Sequence, residues 1–128
     1  MEFKIGKPVT VPARLSETYV LTVNFMHGDG DLYNSSVTEI DSHLPGAMII
    51  LAAGVGFVEY AMTAQPWSYP AREKFWQALR DLNSKYEYIF EDLIRHDIQS
   101  GDCWARVEDF SVTYFDSCGI EYEVEIIA

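Results

Sequence analysis

Apolar and polar positions divide the chain into a β-like start, a helical middle and a β-like end. Residues 2–12 alternate loosely and include Pro8 and Pro12, which predicts a short edge strand because proline cannot donate to a sheet ladder. Thr18–Met26 (TYVLTVNFM) is dense in β-branched and aromatic residues and stops at His27-Gly28-Asp29-Gly30-Asp31, the pattern of a strand running into a turn. Residues 35–40 (SSVTEI) again favour a strand, and a short loop would fold them back as its antiparallel partner.

The middle of the chain changes period. Residues 45–58 carry no charge, Glu59 closes the run, and Gly46, Gly54 and Gly56 fall within it. A membrane span needs about 20 predominantly apolar residues, so a buried helix with Pro45 near its first turn is expected. A turn or kink near Gly54 and Gly56 is the alternative. Pro70 is placed to open the next helix, with Glu73 in its first turn. Phe75, Leu79, Leu82, Tyr86, Ile89 and Leu93 follow at spacings of 4, 3, 4, 3 and 4, one helical stripe. A single helix reaching Asp97 would span roughly 40 Å, so two helices, or one with a kink near Asn83-Ser84, are predicted.

Beyond Ser100-Gly101-Asp102, residues 105–115 (ARVEDFSVTYF) and 120–127 (IEYEVEII) flank Asp116-Ser117-Cys118-Gly119, which predicts a β-hairpin. In its second strand Ile120, Tyr122, Val124 and Ile126 face one way and Glu121, Glu123 and Glu125 the other, so one sheet face is wet and the other packs on helices. The fold class is therefore α+β, one domain over residues 1–128. An antiparallel sheet of about five strands is expected, with two to three helices inserted between the N-terminal strands and the C-terminal hairpin.

Composition supports a packed globule, since 48% of the 128 residues are apolar and aromatics are frequent (7 Phe, 8 Tyr, 3 Trp). Charge narrows the partners. Twenty acidic against nine basic residues give a net charge of −11, which opposes direct DNA binding and attraction to an anionic membrane. The same charge favours docking on a basic site of another protein. No basic region followed by an apolar stretch opens the chain, so a cytoplasmic location is expected. Cys103 and Cys118 are the two cysteines. A hairpin register would separate them, and free thiols are expected.

The candidate chemistry is sparse. Asp29 and Asp31, on a glycine-loosened loop beside His27, are the weak metal candidates, because oxygen-rich loops hold divalent cations. Their spacing does not fit an EF-hand, and a plain turn accounts for them. Gly54-Val55-Gly56 starts like a dinucleotide fingerprint, but Glu59 stands at the third glycine position, and close packing of a buried backbone explains the pair better. His43 after Asp41-Ser42, and His96 before Asp97, lie in no recognised nucleophile context. No catalytic residue and no cofactor are assigned.

Two surfaces remain. Glu108, Asp109, Glu121, Glu123 and Glu125 define an acidic surface, and alternate glutamates on the last strand lie roughly 6.5–7 Å apart, comparable to successive phosphates of an extended nucleic-acid strand. The solvated face of any acidic sheet looks the same. In the helical region Arg72 and Arg80 lie near Tyr69 and Trp76, a combination that can hold a phosphate while stacking a base. The polar face of an amphipathic helix, with pairs such as Glu73 with Arg80 or Asp81 with Lys85, is its plain counterpart.

FMHGDGDLY after an early strand and the closing VTYFDSCGIEYEVEI hairpin resemble small acidic proteins encoded by tailed bacteriophages. The resemblance covers mainly the two β regions. It implies a non-enzymatic accessory protein in the host cytoplasm, a counter-defence inhibitor that binds a host immune or nucleic-acid-processing protein. Sequestration of a small cyclic nucleotide signal and metal-dependent hydrolysis are the alternatives, and a homo-oligomer is compatible with each.

Overall fold

The computed structural model describes residues 2–10, 17–26, 32–63, 69–100 and 106–127, with side chains described for all of these except residues 2, 7–10, 32–34, 69, 71–72, 96–100 and 106. Three strands, β1 (Glu2–Thr10), β2 (Thr18–Met26) and β3 (Leu32–Asp41), precede three helices, α1 (Ala47–Thr63), α2 (Tyr69–Lys85) and α3 (Glu91–Ser100). Two strands follow, β4 (Arg106–Phe115) and β5 (Glu121–Ile127). The strands form one antiparallel sheet in the order β1-β5-β4-β2-β3, the α+β architecture that the sequence predicts.

The early strand of highest β propensity becomes the middle of the sheet's larger part. β2 pairs along its whole length with β3 on one side and β4 on the other. Leu21, Val23 and Phe25, two residues apart, point to one face and are buried, as the period of a strand requires. Against them pack Ile50, Leu51, Val55 and Val58 of α1, Phe75 and Leu79 of α2, and Phe90 and Leu93 beside and within α3. Each such side chain, fully buried, stabilises the fold by about 1.5–3 kcal/mol.

Helix α1 runs unbroken through Gly54 and Gly56, so the turn expected there as an alternative does not occur. The expected division of the second helical stretch is present, but its position differs. The helix continues past Asn83-Ser84 and ends at Lys85. Residues 86–90 form the break because buried Asn83 organises it. Its carbonyl accepts from the amides of Tyr86 (3.2 Å) and Tyr88 (2.9 Å), and its side-chain oxygen accepts from the Phe90 amide. Glu87 and Tyr88 take left-handed backbone angles, φ 58° and 67°.

The C-terminal strand pair also departs from a full hairpin. β4 and β5 are joined at Thr113–Glu123, Tyr114–Tyr122 and Phe115–Glu121 only. Further from the turn β4 stays on β2 as far as Arg106, while β5 stays on β1 as far as Glu2. The sheet thus splits into β3-β2-β4 and β5-β1 away from the turn. Cys118 in that turn has a free, exposed thiol, and Cys103 lies outside the described residues.

Candidate functional site

The sheet face turned away from the helices carries the acidic surface. Register places Glu125 opposite Lys4 and Glu123 opposite Thr113, with Glu121 opposite Phe115. Glu123 and Glu125 are exposed and Glu121 is half-buried. Across the sheet the same face bears Glu39, opposite Val20, and Asp109, opposite Asn24. Both are exposed. A shift in the β2–β4 register between Asn24 and Phe25 adds one residue to β4, and both Glu108 and Asp109 reach solvent there. Bulges of this kind re-aim side chains.

The face is ordered by polar bonds across strands. Ser35 Oγ donates to Asn24 Oδ1 (2.6 Å), and Asn24 Nδ2 donates to Asp109 Oδ1 (2.5 Å), which ties β3, β2 and β4 together in one row. The alternation of the sequence predicts a face wet throughout, and the structure differs. Thr18, Val20 and Phe115, on this face at the turn end of the sheet, are buried. Solvated acidic positions on this face are therefore Glu39 of β3, Glu108 and Asp109 at the far end of β4, and Glu123 and Glu125 of β5.

A second cluster at the turn end forms around Glu17, which sequence spacing did not reveal. Glu17 Oε2 lies 3.3 Å from His43 Nε2, and Ser42 Oγ donates to the Glu17 carbonyl (3.1 Å). The Tyr114 hydroxyl bonds the Glu17 side chain. Tyr19, Tyr114 and Tyr122 stand side by side on β2, β4 and β5, with ring centroids 5.1 and 6.2 Å apart. Burial, and then the charge of Glu17, raise the hydroxyl pKa values of Tyr19 and Tyr114 above 10.0. Tyr122 donates to Asp116 Oδ2 (3.0 Å), and that bond is the main cause of its raised pKa. Asp116 also accepts from the amides of Cys118 (2.9 Å) and Ile120 (3.0 Å). The bond from Ile120 contributes most to holding its carboxyl below the ordinary 3.8. These bonds fasten the turn and the β2 entry to one another, and serine, histidine and glutamate meet there with the imidazole in solvent.

Of the residues predicted for a nucleotide pocket, Trp76 and Arg80 are the two whose side chains are described. Trp76 is 2% exposed. It stacks on Phe25 at 6.3 Å and meets Phe75 edge-on at 4.9 Å, so its ring offers a ligand no open face. Arg80 is half-buried on α2, and the side chains of Tyr69 and Arg72 lie outside the described residues. Lys85 approaches Tyr86, with Nζ 5.4 Å from the ring centroid, and a second cation–aromatic pair is Lys74 and Tyr60, with Nζ 5.9 Å from the ring centroid. This second pair borders a depression of about 410 Å³ over Gly56 and Phe57. Its remaining lining is apolar, unlike the converging donors that hold a phosphate.

Asp29 and Asp31 lie outside the described residues. Among the described residues, no three His, Cys, Asp or Glu side chains come close enough to hold a metal ion, and no helix is long and apolar enough to cross a membrane. No protein-family model matches the chain, and no curated protein or solved structure matches it either.

Proposed function

We propose that this chain is a non-enzymatic binding protein whose acidic sheet face occupies a basic site on another protein. The row Glu121, Glu123 and Glu125, continued across the face by Glu39 and Asp109, is the observation that carries the reading. Among the described side chains, Lys4 is the cation that register sets on this face. A negative field on a flat, hydrogen-bonded sheet speeds encounter with a positive patch and rejects nucleic acid itself. A basic patch of that kind is the nucleic-acid channel of a nuclease or immune effector, which fits the counter-defence role implied by resemblance to small phage proteins.

The test is competition with labelled DNA on a panel of purified nucleases and immune effectors. Wild-type protein should displace DNA from its target. Changing Glu121, Glu123 and Glu125 together to glutamine should slow association by roughly tenfold while the fold survives. Raising salt from about 50 to about 300 mM should weaken wild-type binding, because exposed charges are screened. A triple variant that inhibits like wild type, with no salt effect, would overturn the reading.

A further inference from the structure

Each outer edge of the sheet carries one obstacle to further strand pairing, whereas the split inside it leaves lengths of β4 and β5 without a second partner. On the β3 edge, Asp92 of α3 accepts from the outward amide of Val37 (3.0 Å) and from Ser36 Oγ (3.1 Å), and α3 lies against that strand. On the β1 edge, Pro8 interrupts the strand and has no N–H to offer, a common means of blunting an edge. Inside the sheet, by contrast, β4 below Thr113 and β5 beyond Glu123 are bonded to one neighbour each. In a strand paired on one side, alternate backbone donors and acceptors point to the other side. Here they point into a cleft of about 630 Å³ bounded by residues 110–113 of β4, residues 123–126 of β5, and Gly6.

We propose that this cleft is an acceptor site for an extended peptide segment of a partner protein, which enters as an additional strand between β4 and β5. Unpaired backbone groups on both walls are complementary to a polypeptide backbone in extended form, the chemistry of strand addition. Since β4 and β5 run antiparallel, the entering strand is parallel to one and antiparallel to the other. Four residues of β5 line the cleft, a run of roughly 10 Å, which admits a segment of about that length.

The walls also define the side chains of the guest. On the solvent face stand exposed Glu123 and Glu125, and on the helix face Val112 and Val124, with Phe110 and Ile126 half-buried beside them. A strand presents successive side chains to opposite faces. The segment therefore alternates basic and apolar residues, cations towards the glutamates and aliphatic groups towards the core. The inference rests on the acidic face as a docking surface, and names the form in which a basic partner engages it.

The probe is a capped hexapeptide, Lys-Val-Arg-Ile-Lys-Val, with two companions N-methylated at alternate residues in either phase and a fourth peptide with glutamine in place of each cation. Binding to the intact protein is measured by fluorescence anisotropy, and backbone protection by amide hydrogen exchange. The unmodified peptide should bind below about 1 mM, N-methylation in either phase should weaken it by roughly tenfold or more, and residues 110–112 and 124–126 should gain protection. No binding by the unmodified peptide overturns the proposal. So does salt-sensitive binding that tolerates N-methylation and leaves those amides unprotected, a result that keeps the acidic face and removes strand entry. If the glutamine peptide binds as tightly as the basic one while N-methylation still weakens both, strand entry stands and the charge reading of the face falls.

Discussion

A Cβ placed on Gly54 of α1 would lie 2.7 Å from Cε1 and 2.8 Å from Cζ of Phe90, closer than packed atoms allow, whereas a Cβ on Gly56, two residues on, would meet nothing within 4 Å. The two glycines thus do different work. Alanine in place of glycine inside a helix gains about 0.8–1 kcal/mol of propensity, but inserting a methyl into a packed core costs about 1–3 kcal/mol. Phe90 is fully buried and held at its amide by Asn83, so its ring has little room to move. Gly54→Ala should lose about 1–2 kcal/mol in urea unfolding, and Gly56→Ala should gain up to about 1 kcal/mol. Equal effects of the two changes would contradict the contact.

Asn83 holds the α2–α3 break by satisfying three amides from one buried side chain and its own carbonyl. Replacing it with alanine leaves the Phe90 amide without that acceptor, at about 1–3 kcal/mol. Tyr88 is 70% exposed and left-handed, a conformation that costs a side-chain-bearing residue about 1–2 kcal/mol. Tyr88→Gly should therefore be neutral or stabilising while Asn83→Ala is clearly destabilising. Both are measured by denaturant midpoint, and a Tyr88→Gly variant much less stable than wild type would show that its ring has a packing role.

Asp92 caps the β3 edge at Val37 and Ser36, and its loss should be seen in association as well as in stability. Asp92→Ala frees the Val37 amide and Ser36 Oγ beside exposed Val37, producing the unpaired edge that invites strand pairing between chains. The expected outcome is a loss of about 1–2 kcal/mol together with concentration-dependent association in analytical ultracentrifugation. Asp92→Asn keeps one acceptor oxygen and should recover part of both. A strictly monomeric Asp92→Ala protein would mean that α3 itself shields the edge.

Local periodicity made the elements legible, because β-branched runs and the 4-3-4-3-4 stripe are properties of neighbouring residues. The row of glutamates on β5 was legible for the same reason, since a period of two separates faces in any strand. Partners distant in sequence were not. Trp76 sits next to Phe75 and off the helical stripe, and it is buried because β2 supplies Phe25 as its neighbour. Glu17 and His43 meet only because the β2–β3 pairing brings residue 17 beside residue 42. Beyond their three shared pairs β4 follows β2 and β5 follows β1, partners distant in sequence that the hairpin's own residues do not name.

The Asp116–Tyr122 pair predicts opposite pH responses at the two ends of the scale. Asp116 has a folded pKa below its ordinary 3.8, chiefly through the Ile120 amide. As pH falls, the unfolded chain takes up the proton first, so the stabilisation present above 3.8 disappears as pH drops through the folded value. Tyr122 has a folded pKa above 10.0, chiefly through its bond to Asp116. As pH rises, the unfolded chain releases the proton first, so stability is intact below 10.0 and lost as pH climbs through the folded value. Both groups are half-buried, and the effects are read as differences between variants. The stability gap between wild type and Asp116→Asn should be widest near neutrality and narrow below 3.8. Wild type should lose stability above pH 10 faster than Tyr122→Phe, which has no proton to release. Denaturant midpoints across both windows test this, and a gap for Asp116→Asn that stays constant down to pH 2 would show that its carboxylate bonds do not favour the folded state.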